Sequence, residues 1–271
     1  MADALARCRP SPRYLGASDL NESSPLGSAG VIHLGNVLTP QQAVEVRYFL
    51  LGKLVKDDYR PETGEFLPLS EKRHADSHVA YHEPFDVVTA PHLLALANQP
   101  TILAQVERYL GCCPTISYLA AWWSYPTNFG PQQAEKFHRD VDDWRFVKLF
   151  VYLTDVEDNS GPHIYVKESV LNPALTAIRR YEDAEVEASM GKENIISNVG
   201  ASGIGFLENT FGLHKGQPVK SGARLMFQAV YSLLPLPYGP SKPVLQGLEG
   251  SQFSGVRLDS FVNRVYLADI K

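Results

Sequence analysis

The apolar positions of the chain change rhythm near residue 115. Upstream they recur every three or four residues, the spacing of helices with one buried face. The stretch "TPQQAVEVRYFLLGKLVKDD" (39–58) predicts a helix capped by Thr39, with Pro40 at its first position and a stripe of Val44, Phe49, Leu50 and Leu54. "NQPTILAQVERYLG" (98–111) predicts a second helix, opened by Pro100, stopped by Gly111, and apolar at Ile102, Leu103, Val106 and Leu110. "VIHLGNVL" (31–38) reads as a short strand, residues 1–30 as a poorly ordered lead-in, and residues 56–88 as polar and irregular. Downstream of 115 come short apolar and aromatic runs divided by Gly, Pro, Asn and Asp: "TISYLAAWWSY", "RFVKLFVYLTDV", "HIYVK", "GIGFLEN" and "ARLMFQAVYSLL". These predict strands of an antiparallel sandwich or barrel, with the helices packed outside it and "NPALTAIRRYEDAEVEASMG" (172–191) as a helical insertion.

Composition narrows the class. The 271 residues are 44% hydrophobic, enough for a sizeable core, yet no run approaches the length of a membrane span. "MADALARCRPSPRYLG" lacks the continuous apolar core of a signal peptide. Three cysteines, with Cys112 and Cys113 adjacent, make no disulfide framework, which points to a reducing cytoplasm. A net charge of −5 without any basic run argues against nucleic acid as a partner, and nothing points to a membrane. A cytoplasmic enzyme or binding protein acting on a small molecule remains.

The candidate chemistry starts at "FHRD" (137–140). On a strand, side chains alternate, so His138 and Asp140 point one way and Arg139 the other. One imidazole and one carboxylate on the same side offer two ligands to a metal ion. A second imidazole would complete the two-histidine, one-carboxylate face of a non-haem iron oxygenase. "ENTFGLHKG" supplies His214 just ahead of the last long strand. Arg224 interrupts the apolar strand "ARLMFQAVYS"; a guanidinium there needs a buried anionic partner, either a protein carboxylate or a ligand carboxylate gripped by its planar fork.

The ordered set "FHRD…WRFVKLFVYLTDV…SGPHIYVKES…FLENTFGLHKGQP…GARLMFQAVYS" resembles the phytanoyl-CoA dioxygenase family of Fe(II)/2-oxoglutarate oxygenases over residues 30–235. The resemblance implies a mainly β domain over 31–271 built as a double-stranded β-helix, or jelly roll, of the cupin-like kind. Its helical flank would be 39–111 and its core 115–235. By motif position His138, Asp140 and His214 would ligate Fe(II), and Arg224 would bind 2-oxoglutarate. Further co-substrate contacts would come from Trp122 or Ser124 and from Phe150, Tyr152 or Thr154. The implied reaction consumes dioxygen and 2-oxoglutarate, releases succinate and carbon dioxide, and hydroxylates an unactivated C–H bond. Desaturation, cyclisation or epimerisation on the same iron is the alternative, as is a jelly-roll binding protein without catalysis. The chain departs from the family where Glu168, Ser169 and Val170 replace the common "GSH", and Asp140 argues against halogenation.

Other residues are weighed beside these. Trp123, Tyr125, Trp144, Arg179 and Arg180 are the substrate candidates, although one of the adjacent tryptophans must face the core. Residues 171–200, together with the loop from Tyr125 to Lys136, are expected to form a lid, because water must be kept from an oxidising centre. His74, His78 and His82 read as surface or supporting histidines, His163 as structural, and Lys148 as the partner of a buried carboxylate. An acyl chain, a sugar ring and an amino-acid derivative all suit the aromatic cluster.

Overall fold

The computed structural model describes residues 1–15, 23–246 and 258–268. Eleven strands carry the architecture: β1 (Val31–Asn36), β2 (Val55–Lys56), β3 (Glu65–Phe66), β4 (Val79–His82), β5 (Thr115–Ser124), β6 (Phe146–Tyr152), β7 (His163–Val166), β8 (Ile195–Asn198), β9 (Ile204–Glu208), β10 (His214–Gly216) and β11 (Arg224–Ser232). Eight form one sheet in the order β1-β9-β6-β11-β5-β4-β2-β3, and β10-β7-β8 form a second. All these pairings are antiparallel. The fold is the jelly roll, mainly β with flanking helices.

Alternation along the long strands sorts the side chains. On β11 and β6 the set Leu225, Phe227, Ala229, Tyr231, Val147, Leu149 and Val151 joins the large outer core with the helices. The complementary set, Arg224, Met226, Gln228, Phe150 and Lys148, lines the space between the sheets. The outer helices are α2 (Pro40–Leu51), α3 (Pro84–Thr89), α4 (Leu93–Ala97) and α5 (Pro100–Leu110). In α5 the expected face is buried, and Gly111 ends the helix at φ 78°. In α2 the Thr39 cap forms as read, but the helix stops at Leu51 and buries Ala43, Val46 and Leu50. Val44 and Leu54 are exposed, because the sheet meets the stripe one position away from the one read.

Three expectations change. The first fifteen residues of the lead-in are fastened: Ala2–Arg7 is a helix (α1), and the backbone N–H groups of Arg13 and Tyr14 donate to the buried Glu107 carboxylate at 2.9 and 2.7 Å; residues 16–22 lie outside the described residues. The span 56–88 is not irregular, since β3 and β4 widen the main sheet there. The insertion is helical only over Asp183–Met190 (α6); before it the chain turns, with Leu175 at φ 53°. Among the described residues no helix is long and apolar enough to cross a membrane.

Candidate metal centre and its cavity

His138, Asp140 and His214 converge between the two sheets, with ligand atoms all within 4.8 Å of one another. Backbone pairing holds them there: His138 and His214 exchange N–H···O bonds at 3.0 and 3.1 Å, and Asp140 N–H donates to Thr210 at 2.9 Å. Each imidazole has Nδ1 against a nearby carbonyl, Lys136 O for His138 and Gly212 O for His214, both at 2.9 Å. A carbonyl only accepts, so Nδ1 carries the proton and Nε2 presents its lone pair. Burial first, then His214, push His138 down to about 2, which keeps it neutral. Burial would raise Asp140, but Lys148 and then His214 hold it well below the usual carboxylate range. The donor set is therefore two imidazoles with Nε2 toward the cavity and one carboxylate, matched to a divalent borderline metal such as Fe(II).

Lys148 is the carboxylate partner that the sequence suggested. Its Nζ lies 2.7 Å from Asp140 Oδ2 and 2.9 Å from Asp142 Oδ2. Behind the metal face His163 stacks on His214, with ring centroids 5.6 Å apart, and meets Glu208 at 2.7 Å. Glu208 in turn accepts from Asn198 Nδ2 at 3.0 Å. Burial raises the Glu208 carboxyl to about 8.

Arg224 enters the same cavity, of about 470 Å³, which also takes in the three candidate metal ligands. Its Nη2 donates to Ser124 Oγ at 2.9 Å, as the β11–β5 register places these two residues opposite one another. Its Nε and Nη1 are buried without a partner. Burial pushes the guanidinium down from its usual value, Tyr152 and Glu135 oppose that shift, and among the described residues no carboxylate comes close enough for an ion pair with it. A planar fork with two donors unpaired among the described residues, beside the candidate metal ligands, has the geometry to hold a carboxylate.

The remaining candidates divide. Trp122, Ser124, Phe150 and Arg180 line the cavity. Trp123 does not: the alternation turns it into the outer core, where its Nε1 donates to His82 Nε2 at 3.2 Å. Tyr125 lies in the outer core under Arg73. Tyr152 is fully buried, its hydroxyl donating to Asn198 O and accepting from His163 N–H. Thr154, beyond the strand, accepts from Leu225 N–H and faces a different depression. Trp144 is 64% exposed and lies outside the cavity, and Arg179 pairs outward with Glu185 over the Tyr181 ring. His78 lines the cavity and His82 supports Trp123, while His74 stays outside.

Both segments expected to act as a lid contribute to the cavity lining, through Gln133, Ala134 and Glu135 in one and Arg180 in the other. The segment that carries His138 and Asp140 is not the expected strand but meets β10 at an isolated bridge, and Arg139 within it ties the insertion down by donating to the carbonyls of Ala174 and Leu175, and also donates to that of Phe211. Asp58, Tyr59, Tyr81, Tyr118, Gln228 and Tyr238 line the cavity too and escaped the sequence reading. Tyr118 and Gln228 were within reach of it, since alternation from Ser124 and from Arg224 lands on them.

No family model matches the sequence, and no curated protein is similar to it. Solved structures do share its fold. HygX from Streptomyces hygroscopicus, with nickel, 2-oxoglutarate and hygromycin B bound, superposes at a TM-score of 0.55 and 15% identity, over 84% of this chain and 89% of that one. SnoK, a non-haem α-ketoglutarate-dependent carbocyclase from nogalamycin biosynthesis, gives 0.53 at 17% identity over 82% and 86%. EctD from S. alaskensis, with bound Fe, gives 0.51 at 16% over 82% of each chain.

Proposed function

We propose that the protein is an Fe(II)- and 2-oxoglutarate-dependent oxygenase of the phytanoyl-CoA dioxygenase type, hydroxylating an unactivated C–H bond of a small organic substrate. One observation carries the reading: a buried guanidinium with two free donors shares a cavity with a two-histidine, one-carboxylate face. A structural ion pair at Arg224 would have filled those donors from within the chain. Other enzymes of this fold, HygX, SnoK and EctD, are named for the same metal or co-substrate chemistry, which supports the reading.

In this reading His138, Asp140 and His214 hold the iron through Nε2, a carboxylate oxygen and Nε2. Arg224 and Ser124 take the distal carboxylate of 2-oxoglutarate, and Trp122 and Phe150 flank it. With iron bound, 2-oxoglutarate and dioxygen supply the oxidation: one oxygen atom enters succinate as carbon dioxide leaves, and the other enters the C–H bond. The protein orients the co-substrate, turns Nε2 of both imidazoles to the metal by holding Nδ1 on a carbonyl, and restricts water at the rim with Glu135 and Arg180.

The test is anaerobic addition of Fe(II) and then 2-oxoglutarate, which should give a visible charge-transfer band. His138→Ala and His214→Ala should each abolish it; a band like that of the wild type in either variant removes that histidine from the site. Succinate formation separates an oxygenase from a binding protein, and gain of an oxygen atom by the product separates hydroxylation from the ring closure for which SnoK is named.

A further inference from the structure

The walls of the cavity separate the three substrate kinds that the sequence left open. Away from Arg224, the floor is Tyr118, Ala120 and Gln228, and the sides are aromatic. Tyr81 stands against Trp122 with ring centroids 5.9 Å apart, and Tyr118 meets Tyr238 edge to face at 5.2 Å. Tyr59 stacks on His78 at 5.6 Å. The aliphatic side chains on the lining are few and scattered: Val79, Ala120, Ala134 and Met226. An acyl chain gains about 0.8 kcal/mol per CH₂ only where the wall is apolar throughout, and this wall shows rings edged with hydroxyls.

The charges decide between the other two kinds. The buried cations of the cavity are committed: Lys148 to Asp140 and Asp142, and Arg224, on the reading above, to the co-substrate. Asp142 also takes the Tyr238 hydroxyl. A zwitterion would meet no unengaged buried charge of either sign. What remains unengaged on the floor is neutral: the Gln228 amide, a donor and an acceptor in one group, has no hydrogen-bond partner among the described residues. At the rim stand Arg180, without a partner, and Asp58, whose one ion pair is a 4.0 Å approach to Lys56. Unpaired donors and acceptors on one cavity lining call for a ligand that donates and accepts at several points. Flat aromatic faces call for a ring with C–H faces.

We propose that the substrate half of this cavity takes a polyhydroxylated ring, a sugar or cyclitol, with Gln228 fixing its orientation. The inference rests on the oxygenase reading for which bond would react. The test is saturation-transfer NMR on the full chain loaded with Zn(II) and 2-oxoglutarate, using millimolar methyl α-D-glucopyranoside, myo-inositol, sucrose, L-leucine, L-arginine and decanoate as probes. Ring protons of at least one sugar or cyclitol probe should saturate more strongly than the amino acids or decanoate. Gln228→Leu should weaken that probe about tenfold, the effect of one hydrogen-bonding amide at about 1.4 kcal/mol, while the 2-oxoglutarate signal persists and reports an intact fold. A stronger response from decanoate or an amino acid, silence from every sugar and cyclitol, or equal binding in Gln228→Leu would each overturn the proposal. A 2-oxoglutarate signal without any sugar or cyclitol signal fails this inference alone. Sugar or cyclitol signals without one from 2-oxoglutarate fail the oxygenase reading alone.

Discussion

Replacing Arg224 with methionine, a chain of similar length without charge, should move two quantities in opposite directions. In the ligand-free protein Arg224 is 5% exposed and has two buried donors without partners. A buried unsatisfied polar group costs roughly 1 to 3 kcal/mol, so Arg224→Met should leave the empty protein more stable by about that amount. The same change removes a charge-assisted fork from the co-substrate carboxylate. That contact is worth roughly 2 to 5 kcal/mol when desolvated, or about 30- to 5,000-fold in the dissociation constant for 2-oxoglutarate. Metal affinity should stay near the wild-type value, because Arg224 supplies no metal ligand. Denaturant unfolding of the metal-free protein and calorimetric titration with Ni(II) and then 2-oxoglutarate read all three quantities. A destabilised empty protein that loses metal but keeps its 2-oxoglutarate affinity would make Arg224 a structural cation and refute the reasoning.

Other perturbations follow from the same geometry. Lys148→Met leaves Asp140 and Asp142 facing one another without their shared ammonium, so the metal-free protein should lose roughly 3 to 5 kcal/mol. Ni(II) should then raise its melting temperature more than that of the wild type; an equal rise would show that Lys148 and the metal do not share Asp140. Glu208→Gln tests the buried carboxyl. Burial raises it from 4.5 to about 8, so its contribution is fully present below about pH 4.5 and is lost as pH rises through about 8. Metal-free wild-type protein should lose up to roughly 5 kcal/mol relative to the variant across that window, and parallel unfolding curves for the two would show Glu208 already ionised. Arg180→Ala should leave stability within about 0.5 kcal/mol but raise succinate formed per substrate oxidised; unchanged coupling would remove Arg180 from the rim's function.

The sequence made the site legible where chemistry follows strand alternation. His138 and Asp140 are two apart in a segment that forms no strand and meets β10 only at an isolated bridge, His214 opens β10, and Arg224 opens β11, so residue type and spacing single out four side chains of one cavity. Alternation also separates Trp122 from Trp123, yet the sequence cannot say which of them faces inward until one neighbour is fixed. Ser124 fixes it, being opposite Arg224 in the register. Thr154 was misplaced because β6 ends at Tyr152 and periodicity fails past a strand end. Tyr152 points inward as read, but its hydroxyl is drawn into the β7–β8 layer by Asn198 and His163. Asp58, Tyr59 and Tyr238 come from loops far from every motif, where only tertiary packing brings them to the cavity. The insertion reads as a longer helix because its composition favours one. Tyr181 and Val186 are instead drawn into a small core with Phe137, and Tyr181 pairs with Phe137 through the backbone, which holds residues 172–182 in turns.

The distribution of satisfied and unsatisfied groups supports this assignment of roles. Every element of the metal face is fixed by protein alone: the backbone bridge between His138 and His214, the carbonyls on both Nδ1 atoms, and the ammonium on Asp140. A metal ion therefore meets ligands already aimed and has little ordering cost to overcome. Across the same cavity the arrangement reverses. The Arg224 fork and the Gln228 amide stand on one face of β11, four residues apart, and neither has its bonding capacity filled. Native interiors rarely leave a buried group such as Arg224 unpaired without a reason, whereas the partly buried Gln228 amide stands open to the cavity. On the proposed reading these two residues of a single strand, one cationic and one neutral, would form two consecutive subsites, the first for an anion held by charge and the second for a neutral polar group held by hydrogen bonds. His138, Asp140 and His214 line the same cavity, so an ion held by them would share it with both ligands, as the proposed oxidation of a co-substrate beside a second molecule requires.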